Sequence, residues 1–530
     1  MSETTTPRAL VHWADMTADR IIKQVGDKDA YVVASGITPS GTVHFGNFRE
    51  VITVDFVARA LRARGKQVRF IFSWDDYDTF RKIPKNMPKQ DELTKFMFQP
   101  IVDTPDPFGA QASYAAHHEK AFESQLEKVG ISVEPIYQAG KYRSGTYKES
   151  IKLALDEAKT IKGILDQHRS QALGDDWLPV SVYCEKCNTD NKIVDKKWNG
   201  THLAYACENC GHKGSEELAS TSRIKLPWRV DWPMRWAFEK VDFEPGGKDH
   251  SSQGGSYTTA KEIVKVFNWR TPVYLQYDFV SIKGGGGKMS SSSGDVVTVN
   301  DVLKVYEPEM VRWIFASYKS NVDFAVSFDL DVIKAYEDFD RMERLAYGLD
   351  EGNEKKVEMA KRVYELSQVG EQPAQCPIQP AFRHLTNVLQ INDGDITAAR
   401  AFYQDQIKND RDERRFKERS ECALYWLENF APEDFKFGIN QQAPALELTS
   451  ELKSFITKTC DFLDSQTDAL TDVELHEKMY EIIHELEIKP NDVFPIMYQL
   501  LISKERGPKL AGFLTTIGRT RVVKLLRSAL

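Results

Sequence analysis

Two short segments, far apart in the chain, hold the residues best suited to phosphate chemistry. Thr38-Pro39-Ser40-Gly41-Thr42-Val43-His44-Phe45-Gly46-Asn47 joins small residues to a histidine where helical apolar spacing is about to begin. A helix N-terminus offers unpaired N–H groups and the positive end of the helix dipole, so it favours an anion. Gly41 and Gly46 have no Cβ and would let a nucleotide approach the backbone closely. Much later, Lys288-Met289-Ser290-Ser291-Ser292 follows a run of glycines. A Gly- and Ser-rich loop carrying one cation is suited to closing over a polyphosphate.

Two further groupings have chemical content. Cys184-x-x-Cys187 and Cys207-x-x-Cys210 are separated by 19 residues, the spacing of a tetrahedral zinc ribbon. Asn188 and Gly211 follow the two pairs and suit tight knuckles. Four thiolates would close the coordination shell, so one structural Zn²⁺ with no open position is expected. Asp75, Asp76 and Asp78 form a carboxylate cluster just after a strand. Open α/β sheets place their ligands at such strand ends.

The elements that must position these residues can be read from periodicity. Residues 31–34 are a short β-rich apolar run, 48–64 have helical apolar spacing ending at Gly65, and 67–72 are a second strand. Strand, Gly-rich loop, helix, strand is a βαβ unit, which implies a parallel sheet covered by helices. Residues 274–280 are a further strand candidate, and helical periodicity dominates beyond about residue 318. The expected fold class is α/β: a Rossmann-like parallel-sheet catalytic domain with a zinc-ribbon insertion, followed by an all-α C-terminal domain. The expected boundaries are 1–142 and 223–345 for the two halves of the catalytic domain and its connecting helices, 143–222 for the insertion, and 346–530 for the helical domain.

Composition limits the alternatives. The chain has 530 residues, 70 basic against 78 acidic, a net charge of −8 and a pI near 5.9. That excludes a protein that coats nucleic acid by bulk charge, though not one with a local basic face. No run approaches the ~18 apolar residues a bilayer span needs, and residues 1–23 lack a secretory layout. The cytoplasm is expected, with no membrane partner and no DNA. Seven cysteines, four of them in Cys-x-x-Cys pairs, suit reduced thiols and a metal and not disulfides.

With these residues in view, the chain resembles the class I aminoacyl-tRNA synthetases. His44-Phe45-Gly46-Asn47 after Thr38-Pro39-Ser40-Gly41 looks like their "HIGH" signature, and Lys288-Met289-Ser290-Ser291-Ser292-Ser293-Gly294 like their "KMSKS" signature. The closer resemblance is to the lysyl members. It is carried by Ser35-Gly36-Ile37-Thr38, Trp74-Asp75-Asp76-Tyr77-Asp78, Lys225-Leu226-Pro227-Trp228, Gly247-Lys248-Asp249-His250 and Gly507-Pro508-Lys509-Leu510, and so spans most of the chain. The usual second signature lysine is Ser291 here, which leaves open whether Lys283 assists Lys288.

The resemblance implies an ATP-dependent ligase that forms an aminoacyl-adenylate with Mg²⁺ and passes lysine to the 3′ end of tRNA-Lys. It implies catalytic roles for His44, Asn47 and Lys288. Pro39, Ser40, Gly41, Gly46, Asp249, Met289, Ser290 and Ser291 join those three as the ATP site. Gly36, Thr38, Asp76, Trp228 and His250 are the implied lysine contacts; which of Asp75, Asp76 and Asp78 meets an ammonium stays open. Some relatives carry Cys-His after Asp-Pro-Phe-Gly and bind a second metal; Ala110-Gln111 stand there, so no second zinc is expected. The tail holds Lys504, Arg506, Lys509, Arg519, Arg521, Lys524 and Arg527 against Glu505, a basic face suited to tRNA in a helical anticodon-binding domain. A monomer is expected. The competing readings are a synthetase for arginine or another cationic amino acid, and a non-catalytic zinc-ribbon tRNA-binding protein.

Overall fold

The structure, a computed structural model, describes residues 12–252, 254–284, 296–466 and 470–530. The chain forms two compact units. The first comprises residues 1–303, 308–326 and 342–372, and the second 304–307, 327–341 and 373–530.

The first unit is built on a five-stranded sheet. Its strands are β1 (Ala30–Ile37), β2 (Gln67–Trp74), β3 (Glu134–Tyr137), β4 (Phe243–Gly247) and β5 (Val273–Tyr277), in the order β5-β4-β1-β2-β3. Every pairing is parallel, and β1 and β2 run in register from Ala30 opposite Gln67 to Ile37 opposite Trp74. This is the Rossmann-like architecture. Strand order reverses beside β1, so a crevice opens between the carboxyl ends of β1 and β4. Tyr31 and Val33 on β1 and Phe70 and Phe72 on β2 are buried, as a sheet covered on both faces requires.

Helix α1 (Phe45–Arg62) connects β1 to β2. It starts three residues before the apolar spacing does. His44 caps it: Asn47 N–H donates to His44 Nδ1 (3.2 Å), and Asn47 Oδ1 accepts from His44 N–H (3.2 Å). This reciprocal box satisfies two backbone donors at the helix start. Phe48, Val51, Ile52, Val54, Phe56 and Val57 are all buried. Asp55, also on α1, pairs with the fully buried Arg312.

Between β3 and β4 lie helices Lys148–Asp156 and Ala158–Asp166, then an antiparallel three-stranded ribbon (Ile193–Trp198, His202–Cys207, Lys213–Glu217). A segment rich in tryptophan then forms α2 (Trp228–Glu239), which takes Pro233 into its interior. The strand expected over 274–280 divides. β5 ends at Tyr277, and Val280–Ile282 pairs instead with Phe324–Val326, a strand inside the stretch expected to be helical.

The second unit is helical, with its core formed by helices Ser450–Ser465, Asp472–Glu485, Pro490–Ile502, Leu510–Ile517 and Arg519–Arg527. Fully buried Arg419 is paired with Glu307 and, at 2.8 Å, with Asp340, so this buried guanidinium is compensated by two carboxylates. Among the described residues no helix is long and apolar enough to cross a membrane.

Candidate active site and metal centre

A cavity of about 400 Å³ occupies the crevice at the ends of β1 and β4. Its walls come from the loop before α1, from α1 itself, from the ends of β2 and β4, and from α2. Of the residues singled out in sequence, Gly36, Thr38, His44, Gly46, Asn47, Trp228, Asp249 and His250 line it together. Pro39 and Gly41 are buried and do not line it; Ser40 lines a neighbouring cavity. Lys288, Met289, Ser290 and Ser291 lie outside the described residues.

His44 reaches the cavity wall with a fixed tautomer. Its Nδ1 accepts the Asn47 N–H, which leaves the ring proton on Nε2. The same contact that caps the helix thus makes the other nitrogen a donor. His250 is held by a 2.7 Å hydrogen bond between Nδ1 and Ser256 Oγ. Trp228 stacks on Trp232 with 5.1 Å between ring centroids, and the Arg235 guanidinium lies 5.3 Å from the Trp228 ring.

The acids of the cavity differ sharply in what neutralises them. Asp75 is paired with Arg235 at 2.6 Å. Asp78 takes the ammonium of Lys225 on Oδ1 and the Thr38 hydroxyl on Oδ2 (3.2 Å). Glu244 accepts both indole N–H groups of Trp232 (3.0 Å) and Trp236 (2.6 Å). Glu50 accepts only from neutral donors, Gly36 N–H at 3.0 Å and Tyr277 O–H at 2.6 Å. Burial pushes Glu50 up to about 8 against those two hydrogen bonds. Glu50, like Glu244, is thus a wall carboxylate that accepts from neutral donors and has no cation in contact among the described residues.

Asp76 is turned the other way. Its carboxylate accepts the Ala139 N–H at 2.7 Å, and burial raises it to about 7. It does not line the cavity, whereas Asp75 and Asp78 do. Sequence reasoning passed over Glu50, Glu244, Arg235 and Tyr277. The one available signal was an acid in the largely apolar run of α1, between Phe48 and Val51.

The four ribbon cysteines come together as their spacing requires. Their sulfurs all lie within 4.8 Å of one another, with Cys184–Cys210 at 3.7 Å and Cys187–Cys207 at 3.6 Å. A tetrahedral ZnS₄ centre with ~2.3 Å bonds has sulfurs about 3.8 Å apart, so the set could hold a metal ion. Each knuckle closes in the same way. Asn188 N–H donates to Cys184 O (2.8 Å) and Gly211 N–H to Cys207 O (2.9 Å), with Asn188 and Gly211 both at positive φ.

Several cations of the basic tail are exposed yet already partnered within the helical unit. Arg521 donates to Ile391 O, Arg519 to Gln466 O, and Arg527 pairs with Asp461 and Asp464. Arg506 and Lys509 meet no partner among the described residues; with Arg383 they line a cavity of about 940 Å³ within the helical unit.

Comparison with known proteins agrees with this geometry. The profile of the family described as tRNA synthetases class I (K) matches residues 11–370. A protein named lysine–tRNA ligase from Borreliella burgdorferi is 48% identical over 97% of this chain and 98% of its own length. Its counterpart from Treponema pallidum is 47% identical over 97% and 98%. One from Thermococcus kodakarensis is 41% identical over 98% and 99%. A match of this extent, on a chain whose signature histidine sits at the sheet's switch point, places this protein in the class I tRNA synthetase (K) family.

Proposed function

We propose that this chain is a lysine–tRNA ligase. It joins lysine to ATP as lysyl-adenylate, with release of pyrophosphate, and transfers the lysyl group to the 3′ end of tRNA-Lys. The observation that carries the choice of lysine is Glu50, an acid with no cation of its own among the described residues, which lines the same cavity as Trp228. A cationic amino acid needs both an acceptor and a wall for its stem.

In this reading the lysine carboxylate attacks the α-phosphorus of ATP, and the chain supplies positioning and stabilisation of negative charge. His44 Nε2–H and the amides at the start of α1 face the phosphates. Asn47 holds His44. Asp249 takes a ribose hydroxyl, and Gly36, Thr38, Trp228 and His250 surround the amino acid. Asp75 and Asp78, each already paired with a cation, shape the pocket and leave the ammonium to Glu50. Lys288 supplies the cation on the departing pyrophosphate, and Mg²⁺ accompanies ATP. The helical unit takes the anticodon, with Arg383, Arg506 and Lys509 as cations for its backbone. The setting is a cytoplasmic monomer, which size-exclusion chromatography and cell fractionation read directly.

ATP–pyrophosphate exchange across all twenty amino acids, with and without tRNA, tests the reading. Exchange with lysine supports it; exchange with arginine instead overturns the pocket assignment. No exchange from folded, metal-loaded protein favours a non-catalytic tRNA-binding protein.

We assign zinc to the cysteine cluster. Purified protein is expected to carry about one zinc per chain, with Cys207→Ser losing the metal and becoming protease-sensitive within 181–222. A Cys207→Ser variant that keeps its zinc would show that the ion sits elsewhere.

A further inference from the structure

The three-stranded ribbon buries only Leu203, Tyr205 and Cys207 among its strand residues. A metal bound there would supply a large share of the ribbon's folding free energy. The first cysteine knuckle, which that metal would close, is bonded directly to a wall of the active-site cavity. We propose that this knuckle positions the amino-acid pocket, with Asp190 and Tyr183 as the positioning residues. The inference rests on the ligase reading and adds to it a link from the cysteine cluster to lysine affinity.

The link runs through Asp78. This acid lines the cavity beside Thr38 and is joined to both Thr38 and Lys225. The knuckle holds the residues on either side of it. Tyr183 O–H donates to Tyr77 O (2.8 Å), and the Thr79 hydroxyl donates to Asp190 Oδ2 (2.6 Å). The hydroxyl oxygens of Tyr183 and Thr79 lie 3.1 Å apart, so the two contacts form one network. Tyr183 is buried and the Asp190 side chain is 6% exposed, so losing either bond leaves a buried polar group unpaired.

The cation partner of Asp78 is held from the same direction. Ser181–Val182, just before Tyr183, pairs antiparallel with Ile224–Lys225, and Ser181 stands opposite Lys225. Residues 181–190 thus place both members of the Lys225–Asp78 pair, and the same stretch contains Cys184 and Cys187. The knuckle is itself docked on the body of the unit: Asp190 N–H donates to Phe98 O (3.1 Å), and the Asn188 amide donates to Asp103 Oδ2 (2.9 Å). Fixing the peptides on both sides of Asp78 fixes the direction of its carboxylate, and through it the Thr38 hydroxyl. The residues proposed for ATP stand elsewhere, His44 and Asn47 at the start of α1 and Asp249 after β4. A slack knuckle should therefore weaken lysine binding and spare ATP.

Equilibrium dialysis of lysine and of ATP, each alone, reads this without relying on turnover. Thr79→Val removes the hydroxyl that meets Asp190 and leaves every ribbon residue in place. Thr79→Val and Asp190→Ala are each expected to weaken lysine binding about tenfold, with ATP binding within about twofold of wild type and zinc still at about one per chain. The double variant should bind lysine no more weakly than either single one, because both changes remove the same bond. Thr79→Ser keeps the hydroxyl and should bind lysine within about twofold of wild type. Cys207→Ser, which removes a metal ligand and touches neither contact, should show the same loss of lysine binding and the same retention of ATP binding. The assignment is overturned if Thr79→Val and Asp190→Ala bind lysine as the wild type does, if their effects add, or if lysine and ATP weaken together. Failure of the ligase reading looks different: the wild type itself would then bind no lysine.

Discussion

Replacing His44 by alanine is expected to slow lysyl-adenylate formation by about 100- to 1,000-fold, the usual loss when one donor to a developing oxyanion is removed. Lysine affinity should change by less than about threefold, because His44 faces the phosphates in the proposed arrangement. Two effects are combined in this substitution. His44 is also the cap of α1, and removing a cap costs about 1 kcal/mol of stability. His44→Asn separates them. Asparagine is a good cap but cannot place a donor where Nε2 reaches, so that variant should melt like the wild type and remain catalytically as slow as His44→Ala. Pyrophosphate exchange, lysine titration and thermal unfolding read the three quantities independently. If His44→Asn restores exchange, the histidine serves the helix and not the reaction.

The capping geometry explains why this part of the site could be read from sequence. A histidine followed by asparagine three residues on, between a β-rich run and a helical pattern, is a local arrangement. Local hydrogen bonds and periodicity fix it. The same holds for the cysteine knuckles, where a left-handed Asn188 or Gly211 closes each turn. The acid that meets an ammonium could not be read in this way. Beyond Trp74 the strand ends, so strict alternation no longer assigns Asp75 and Asp76 to faces, and Asp76 turns to the backbone of Ala139. Glu50 depends on Tyr277, 227 positions away, for one of its two hydrogen bonds. Only the sheet order, with β4 and β5 on the far side of β1, brings them together. The tail behaves similarly: its charge is plain in sequence, but Arg519, Arg521 and Arg527 are occupied by partners from elsewhere in the helical unit, leaving Arg506 and Lys509 to face a cavity.

Glu50 gives the second large effect. Near pH 7 without ligand its carboxyl is mostly protonated, because burial holds it at about 8. A lysine ammonium placed against it favours the carboxylate, so binding releases a proton. The sign follows: lysine affinity should rise as pH rises toward 8 and level off above it. KM for lysine should then fall by about tenfold per unit between pH 6 and about 7.5, while KM for ATP stays nearly flat. Glu50→Gln preserves the shape and removes the titration. Its KM for lysine at pH 8.5 should be raised about 10- to 150-fold, the range for losing one charge-assisted hydrogen bond, and should no longer depend on pH. Norleucine, which has lysine's chain without the terminal ammonium, decides which end of the substrate Glu50 meets. If Glu50 faces the side-chain ammonium, Glu50→Gln narrows the gap between lysine and norleucine by the factor it costs lysine. If both ligands weaken equally, Glu50 meets the α-ammonium common to all amino acids. Selection of lysine would then have to come from Glu244, a second acid of this wall with no cation in contact among the described residues, whose oxygens are held by Trp232 and Trp236.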